Sequence, residues 1–315
     1  MRSNTLYSKL LIIFLASRPK FLTASAAPIL VGTAIAYATT GHFNPILFIL
    51  AMISIMALHS GANVANDYFD HTSKNDWVNQ NTTPFSGGRR FIQQGILSPK
   101  ATLLTSFLFL AFGSAVGIVI VLLTQSLFIL VLGIAGLLGG FFYTASPVRF
   151  GYRGIGELVI MLQFGLLPVS GAYYLQTQTF DTIVFLPAVI VGILIFLVIF
   201  INEFPDAKAD AAVNKKTLVV CFGIGISVWI YRLTISASYI LAAAAILLYH
   251  QMFFAGLFYL FTLPLMVISI KFANKKDLAT PGVYKANAMT VLLHATGCLA
   301  LTLGFIVSAF RNSIL

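Results

Sequence analysis

Apolar runs long enough to cross a bilayer recur from one end of this chain to the other. A helix rises 1.5 Å per residue, so about 20 mostly apolar residues span a hydrocarbon core of roughly 30 Å. Nine such runs are readable: 21–41, 43–66, 101–124, 126–146, 154–176, 182–204, 226–249, 252–271 and 286–310. Charge content agrees, because only 9% of the 315 residues are charged, against about a quarter in a soluble domain. The expected fold is all-α. We expect a polytopic membrane protein of about nine transmembrane helices in a bundle around a central cavity, forming a single domain over 1–315. Cys221 and Cys298 both lie in apolar stretches, far from any metal-type spacing, so neither a disulfide framework nor a zinc site is indicated.

The connections divide by charge. On one side they are short and nearly uncharged: Gly41–Asn44, Thr124–Ser126, Gln176–Asp181 and His250–Gln251. The other side carries Arg2, Lys9, Arg18, Lys20, Lys74, Arg89, Arg90, Lys100, Arg149, Arg153, Lys208, Lys215, Lys216, Lys271, Lys275, Lys276 and Lys285, which is 17 of 19 basic residues. The positive-inside rule places that side, with the N-terminus, in the cytoplasm of a cell membrane. Met1–Lys20 mimics a short signal peptide but shows no cleavage pattern, and reads as an interfacial lead-in. Arg232 interrupts Thr217–His250. We read one span there, entered after an amphipathic approach, with Arg232 snorkelling to the surface. The net charge of +10 reflects this bias and attraction to anionic headgroups, with no nucleic-acid partner implied.

The acids are scarce and clustered. Six of nine fall in Asp67–Asp76 and Glu203–Asp210. The first cluster ends the second span as Asn63-Val64-Ala65-Asn66-Asp67-Tyr68-Phe69-Asp70. The second ends the sixth span as Asn202-Glu203-Phe204-Pro205-Asp206-Ala207-Lys208-Ala209-Asp210. The copies lie 136 residues and four spans apart, so both point the same way, as in two parallel-type repeats. Asn66 with Asp70, Asn202 with Asp206, and Asp206 with Asp210 are spaced i,i+4, which puts each set on one helix face. Hard oxygen ligands without His or Cys suit Mg2+, which keeps waters and takes phosphate oxygens. Bases follow each cluster: Pro84-Phe85-Ser86-Gly87-Gly88-Arg89-Arg90 and Asn214-Lys215-Lys216-Thr217. Acids with Arg, Lys and a Gly-Gly turn point to a metal-bound diphosphate. Mutual neutralisation would explain one isolated Asp–Arg pair, but it explains two matched clusters less well.

These residues resemble the UbiA superfamily of intramembrane prenyltransferases, whose aspartate motifs are NDxxDxxxD and DxxxD. Asn66-Asp67-Tyr68-Phe69-Asp70 matches the first five positions. Lys74 stands where the last Asp is expected, and Asp76 follows it, as in the naphthoate-prenylating branch. Asp206–Asp210 matches the second motif fully. Lys215-Lys216-Thr217, Ser86-Gly87-Gly88-x-Arg90 and Tyr143-Thr144-Ala145-Ser146-Pro147 also resemble that branch.

The resemblance implies transfer of a polyprenyl group from a polyprenyl diphosphate to an aromatic acceptor, in the first place 1,4-dihydroxy-2-naphthoate for menaquinone synthesis. It implies Mg2+ held by Asn66, Asp67, Asp70, Asp76, Asn202, Asp206 and Asp210, with Asp70, Asp206 and Asp210 catalytic. Arg90, Lys215, Arg89 and Lys74 would bind the diphosphate, with Lys216 in support. Tyr143 and Asn63 would face the prenyl or aromatic part, Tyr143 with a π face for the allylic cation. An interfacial belt residue explains Tyr143 equally well. Other acceptors (hydroxybenzoate, homogentisate, a lipid alcohol) remain open. A cation-coupled transporter fits less well, since its acids belong near the midplane and linked to both sides. Glu157 reads as a helix N-terminal charge, and His59 and His294 as packed hydrogen-bonding residues.

Overall fold

The computed structural model describes residues 6–79, 81, 83, 85, 88–278, 280 and 282–314. Arg2, Pro84, Ser86 and Gly87 of the motifs and charge tally lie outside them. Fourteen α-helices follow in chain order: α1 Leu6–Ala16, α2 Thr23–Thr40, α3 Pro45–Thr72, α4 Asn75–Val78, α5 Pro99–Thr124, α6 Leu127–Phe141, α7 Gly156–Met161, α8 Leu167–Thr177, α9 Phe185–Ala212, α10 Leu218–Leu248, α11 Phe253–Leu260, α12 Leu263–Phe272, α13 Lys275–Leu278 and α14 Val283–Ile314. No strand occurs among the described residues; one isolated bridge joins Arg153 and Lys216.

Among the described residues, seven helices or continuous helical segments are long and apolar enough to cross a membrane. They are Pro19–Thr40, Pro45–Thr72, Pro99–Thr124, Gly156–Thr177, Thr182–Ala212, Leu218–Leu248 and Val283–Arg311. The α11–α12 pair, bent by 48°, makes an eighth if taken as one span. α6, at 15 residues, occupies the place of the expected fourth span and is short for a crossing. Each of the nine apolar runs therefore has a helical counterpart. The chain is a multi-pass membrane protein.

The helices begin where the sequence offers caps. Asn44, Ser98, Ser126 and Thr217 each accept a hydrogen bond from the first-turn backbone, satisfying donors that the helix itself leaves free. Pro45 and Pro99 then occupy the first turn, where a missing N–H costs nothing. α10 departs from helical geometry at Gly223 (φ 71°), so an approach segment precedes the seventh span, as expected from the sequence. Arg232 donates from Nε to the Ala273 carbonyl just past α12.

Lipid is as apolar as leucine, so packing and hydrogen bonds join these helices. Between α3 and α5, a Cβ at Gly61 would lie 2.6 Å from Leu110 Cγ, and one at Gly113 2.9 Å from Leu58 Cγ. The same glycines' carbonyls accept from Ser106 Oγ and Ser54 Oγ, each at 2.8 Å. The large outward side chains, such as Leu108, Phe112, Leu122 and Leu247, are exposed as a lipid-facing surface requires. α9 is the most enclosed helix, buried along nearly its whole length.

Candidate active site

A cavity of about 210 Å³ opens between the C-terminal ends of α3 and α9. It brings together Asn63, Asn66, Asp70, Asp76, Tyr143, Asn202, Asp206, Asp210 and Lys215. The two acidic clusters, four spans apart in sequence, therefore share one space. No described residue of α10 to α14 lines it. The cavity sits among the first six spans; α10 and α14 pack against α9, α14 also against α2, and the α11–α12 pair packs against α10 and α14.

Helix geometry sets the first cluster. Asn66 and Asp70 lie one turn apart on α3 and both face the cavity. Asp67 turns instead to Arg18, whose guanidinium bonds its Oδ1. Arg18 reaches inward from a left-handed turn (φ 56°) just before Pro19. Burial would lower its pKa, but Asp67 outweighs burial and raises it, so Arg18 stays charged. Asp76, on α4, is 3% exposed and accepts from Gln93 at 3.0 Å. Burial, then the charges of Asp70 and Asp67, push its pKa up to about 7.

Pro205 shapes the second cluster. It has no N–H to return to the Ile201 carbonyl one turn back. Asn287 of α14 fills that gap, donating from Nδ2 to Ile201 O at 3.2 Å and to Asn202 Oδ1 at 2.6 Å. Asn202 is thereby oriented by a helix that does not line the cavity. Asp210 is 1% exposed and pairs with Lys215 Nζ at 3.4 Å. Burial alone would depress Lys215; Asp210 and Asp70 outweigh it and hold the ammonium well above its ordinary value.

The clusters are braced together by amides. Asn75 donates to Asp210 Oδ1 and Asn79 to Asp206 Oδ1, each at 2.8 Å. Tyr152 Oη donates to Asp70 Oδ1 at 3.3 Å. Burial and Asp70 push its phenol up to about 12. Tyr143 is held well above its usual value by burial and Glu203, and so remains a neutral phenol.

Three predicted bases do not line the cavity. Lys74 is exposed. Arg90 donates to the Asp76 carbonyl at 2.6 Å, which supports that turn. Arg89 meets Asp67 through its backbone N–H. Sequence reasoning missed Arg18, Asn75, Asn79, Gln93, Tyr152 and Asn287 as members of the site. In the sequence Arg18 counts only as one of the cytoplasmic-side charges. The others are single polar residues whose partners come from distant segments.

The donor set fits Mg2+. It is all oxygen, and Asn66 Oδ1 is buried without a hydrogen-bond partner. Among the described residues no three His, Cys, Asp or Glu side chains are gathered to hold a metal by themselves.

The sequence pattern of the UbiA prenyltransferase family matches residues 25–291. The chain is 34% identical over 230 residues to a 1,4-dihydroxy-2-naphthoate octaprenyltransferase of Haemophilus influenzae, covering 71% of this chain and 73% of that protein. It is 28% identical over 292 residues to a 2-carboxy-1,4-naphthoquinone phytyltransferase of Synechocystis, covering 92% and 91%. In three dimensions it resembles a UbiA homologue from Archaeoglobus fulgidus solved with DMAPP and Mg2+, at TM-score 0.68 and 15% identity, covering 92% of this chain and 98% of that one. Motif, fold and relatives agree, and the chain belongs to the UbiA prenyltransferase family.

Proposed function

We propose that this protein transfers a polyprenyl group from a prenyl diphosphate to 1,4-dihydroxy-2-naphthoate or a closely related naphthoate, with Mg2+ as cofactor. One observation carries the reading: acidic clusters from spans two and six face one cavity beside Lys215, and that cavity adjoins a larger apolar one of about 380 Å³. The naphthoate acceptor comes from the names of the relatives above, whose matches cover about seven-tenths or more of this chain.

Asn66, Asp70 and Asp76 from one side and Asn202, Asp206 and Asp210 from the other would hold the metal, with Asp67 joining them where the ion displaces Arg18 from it. When bound, Mg2+ supplies Lewis-acid neutralisation of the leaving diphosphate. Lys215 and Arg18 add fixed positive charge at the same place, which needs no reorganisation as charge develops. Arg90, through the Asp76 carbonyl, and Arg89, through its backbone bond to Asp67, would support the acidic ligands, and the exposed Lys74 would add positive charge from outside the cavity. The C1–O bond of the prenyl diphosphate breaks with its electron pair going to diphosphate. A ring carbon of the acceptor bonds to C1, and the displaced ring substituent leaves without its bonding electrons. Asn63 and the neutral Tyr143 border the allylic end, Tyr143 offering a π face. Burial of these groups excludes water, which would otherwise capture the cation. The apolar cavity accommodates the isoprenoid tail.

We further infer that the whole chain works as one transmembrane domain in the cell membrane, with the N-terminus and the active-site loops cytoplasmic. Their 17 basic residues support that orientation.

Membranes containing the protein, given a long-chain prenyl diphosphate, Mg2+ and a panel of aromatic acceptors, should yield a prenylated naphthoate identified by mass. Asp70→Asn and Asp206→Asn should each lower turnover by about 10²-fold or more without loss of expression. Folded wild-type protein that prenylates no acceptor would overturn the reading.

A further inference from the structure

The polar and apolar cavities meet at a neck. Five residues line both: His59, Ala62, Gly140, Gln163 and Phe164. Two of these carry hydrogen-bonding groups, at a depth where the surrounding wall is hydrocarbon. Desolvating such a group without a partner is costly, so the neck is an unfavourable place to put them for packing alone.

Both are built in by specific local structure. Gln163 lies in a wide π-type turn, Leu162–Leu166, between α7 and α8. Pro168 follows it and lacks the N–H that would continue the ladder. Single π turns of this kind gather at functional sites. Gln163 Nε2 donates across to Ala135 O of α6 at 2.9 Å. That position exists only because residue 139 is glycine: a Cβ there would sit 1.8 Å from Gln163 Nε2. His59 is fixed from its outer side by Ser25, with Oγ and Nδ1 2.7 Å apart. Its ring packs edge-on against Phe164 at 4.7 Å. Each side chain thus uses one polar atom to anchor itself. No described residue bonds the other, His59 Nε2 or Gln163 Oε1.

We propose that His59 and Gln163 bind the acceptor, holding its ring oxygen substituents at the neck, with Phe164 packed against the ring. This rests on the prenyl-transfer reading above. The isoprenoid tail, threading this neck into the apolar cavity, offers neither polar atom a partner, so the acceptor ring lies beside it there. A hydroxylated ring pairs them, and it places the attacked carbon at the mouth of the diphosphate site, where C1 emerges. A site built to hydrogen-bond a substrate hydroxyl also rejects analogues that lack it.

The test is steady-state kinetics with 1,4-dihydroxy-2-naphthoate and its two monodeoxy analogues, in wild type, Gln163→Met and His59→Phe. We expect each variant to raise the KM for the dihydroxy acceptor about tenfold, as loss of one hydrogen bond does. The KM for prenyl diphosphate should move less than about twofold. On wild type, removing the hydroxyl that Gln163 holds should cost the same tenfold, and on Gln163→Met it should cost nothing further. The wild-type analogue series stands even where one variant fails to fold. Unchanged acceptor KM in both variants, equal changes for both substrates, or additive effects of hydroxyl and side chain would each overturn the proposal. No product from wild type would instead contradict the naphthoate reading, and this inference would fall with it.

Discussion

Arg18 and Asp76 show what the site's side chains do before a metal and substrate arrive. Arg18 occupies Asp67 as an internal cation. Replacing it by Met leaves a buried carboxylate unpaired, a change of about 3–5 kcal/mol where pairs are fully buried and less in this partly open cavity. In chelator, Arg18→Met should therefore melt below wild type, and Mg2+ should narrow the gap by taking over the cation's place. An equal gap with and without Mg2+ would contradict this. Asp76 is held up at about 7, against an ordinary value of 3.8. Its folded pKa lies above its unfolded one, so its contribution to stability is fully present below about pH 4 and is lost as pH rises through about 7. In chelator, Asp76→Asn should gain on wild type in melting temperature as pH is raised from 5 to 8. Parallel melting curves for the two proteins would contradict it. The oxygen ligands themselves were legible in the sequence, because i,i+4 spacing on a helix fixes a shared face. Arg18 was not, because its role depends on a turn that brings residue 18 beside residue 67. Nor were Asn75 and Asn79, whose partners lie more than 100 residues away.

At the level of helices, composition located every apolar run but could not show how the runs bend. The break between α11 and α12, the kink at Gly223 and the π turn at Leu162–Leu166 all lie inside runs that composition reads as single apolar stretches. Pro205 is a case where sequence gives a cause and the structure supplies its consequence. The proline frees the Ile201 carbonyl, and Asn287 takes it while holding Asn202. Asn287→Leu should thus cost about 1–3 kcal/mol through the buried acceptors it orphans. Pro205→Ala returns the missing helical N–H and should recover part of that loss in the double variant. Thermal melting of the four proteins in the cycle measures it, and strictly additive shifts would contradict the link between the two residues.

Across the whole molecule, the repeat seen in two short acidic motifs becomes a single cavity, with each half contributing one helix end. What the sequence did not reveal is the division of labour. α10 and α14 support α9 and α2 directly, and the α11–α12 pair backs α10 and α14, without entering the site. Side-chain oxygens are legible one helix at a time, and the convergence of two helices is a property of packing. The central claim is that both clusters together make one metal–diphosphate site. Calorimetric titration with a non-ionisable prenyl thiolodiphosphate tests it directly, using wild type, Asp70→Asn and Asp206→Asn with and without Mg2+. The account predicts one analogue bound per chain, only with Mg2+, and a loss of about tenfold or more in affinity in either variant. Binding that is indifferent to Mg2+, or a variant of either cluster that binds as tightly as wild type, would contradict it.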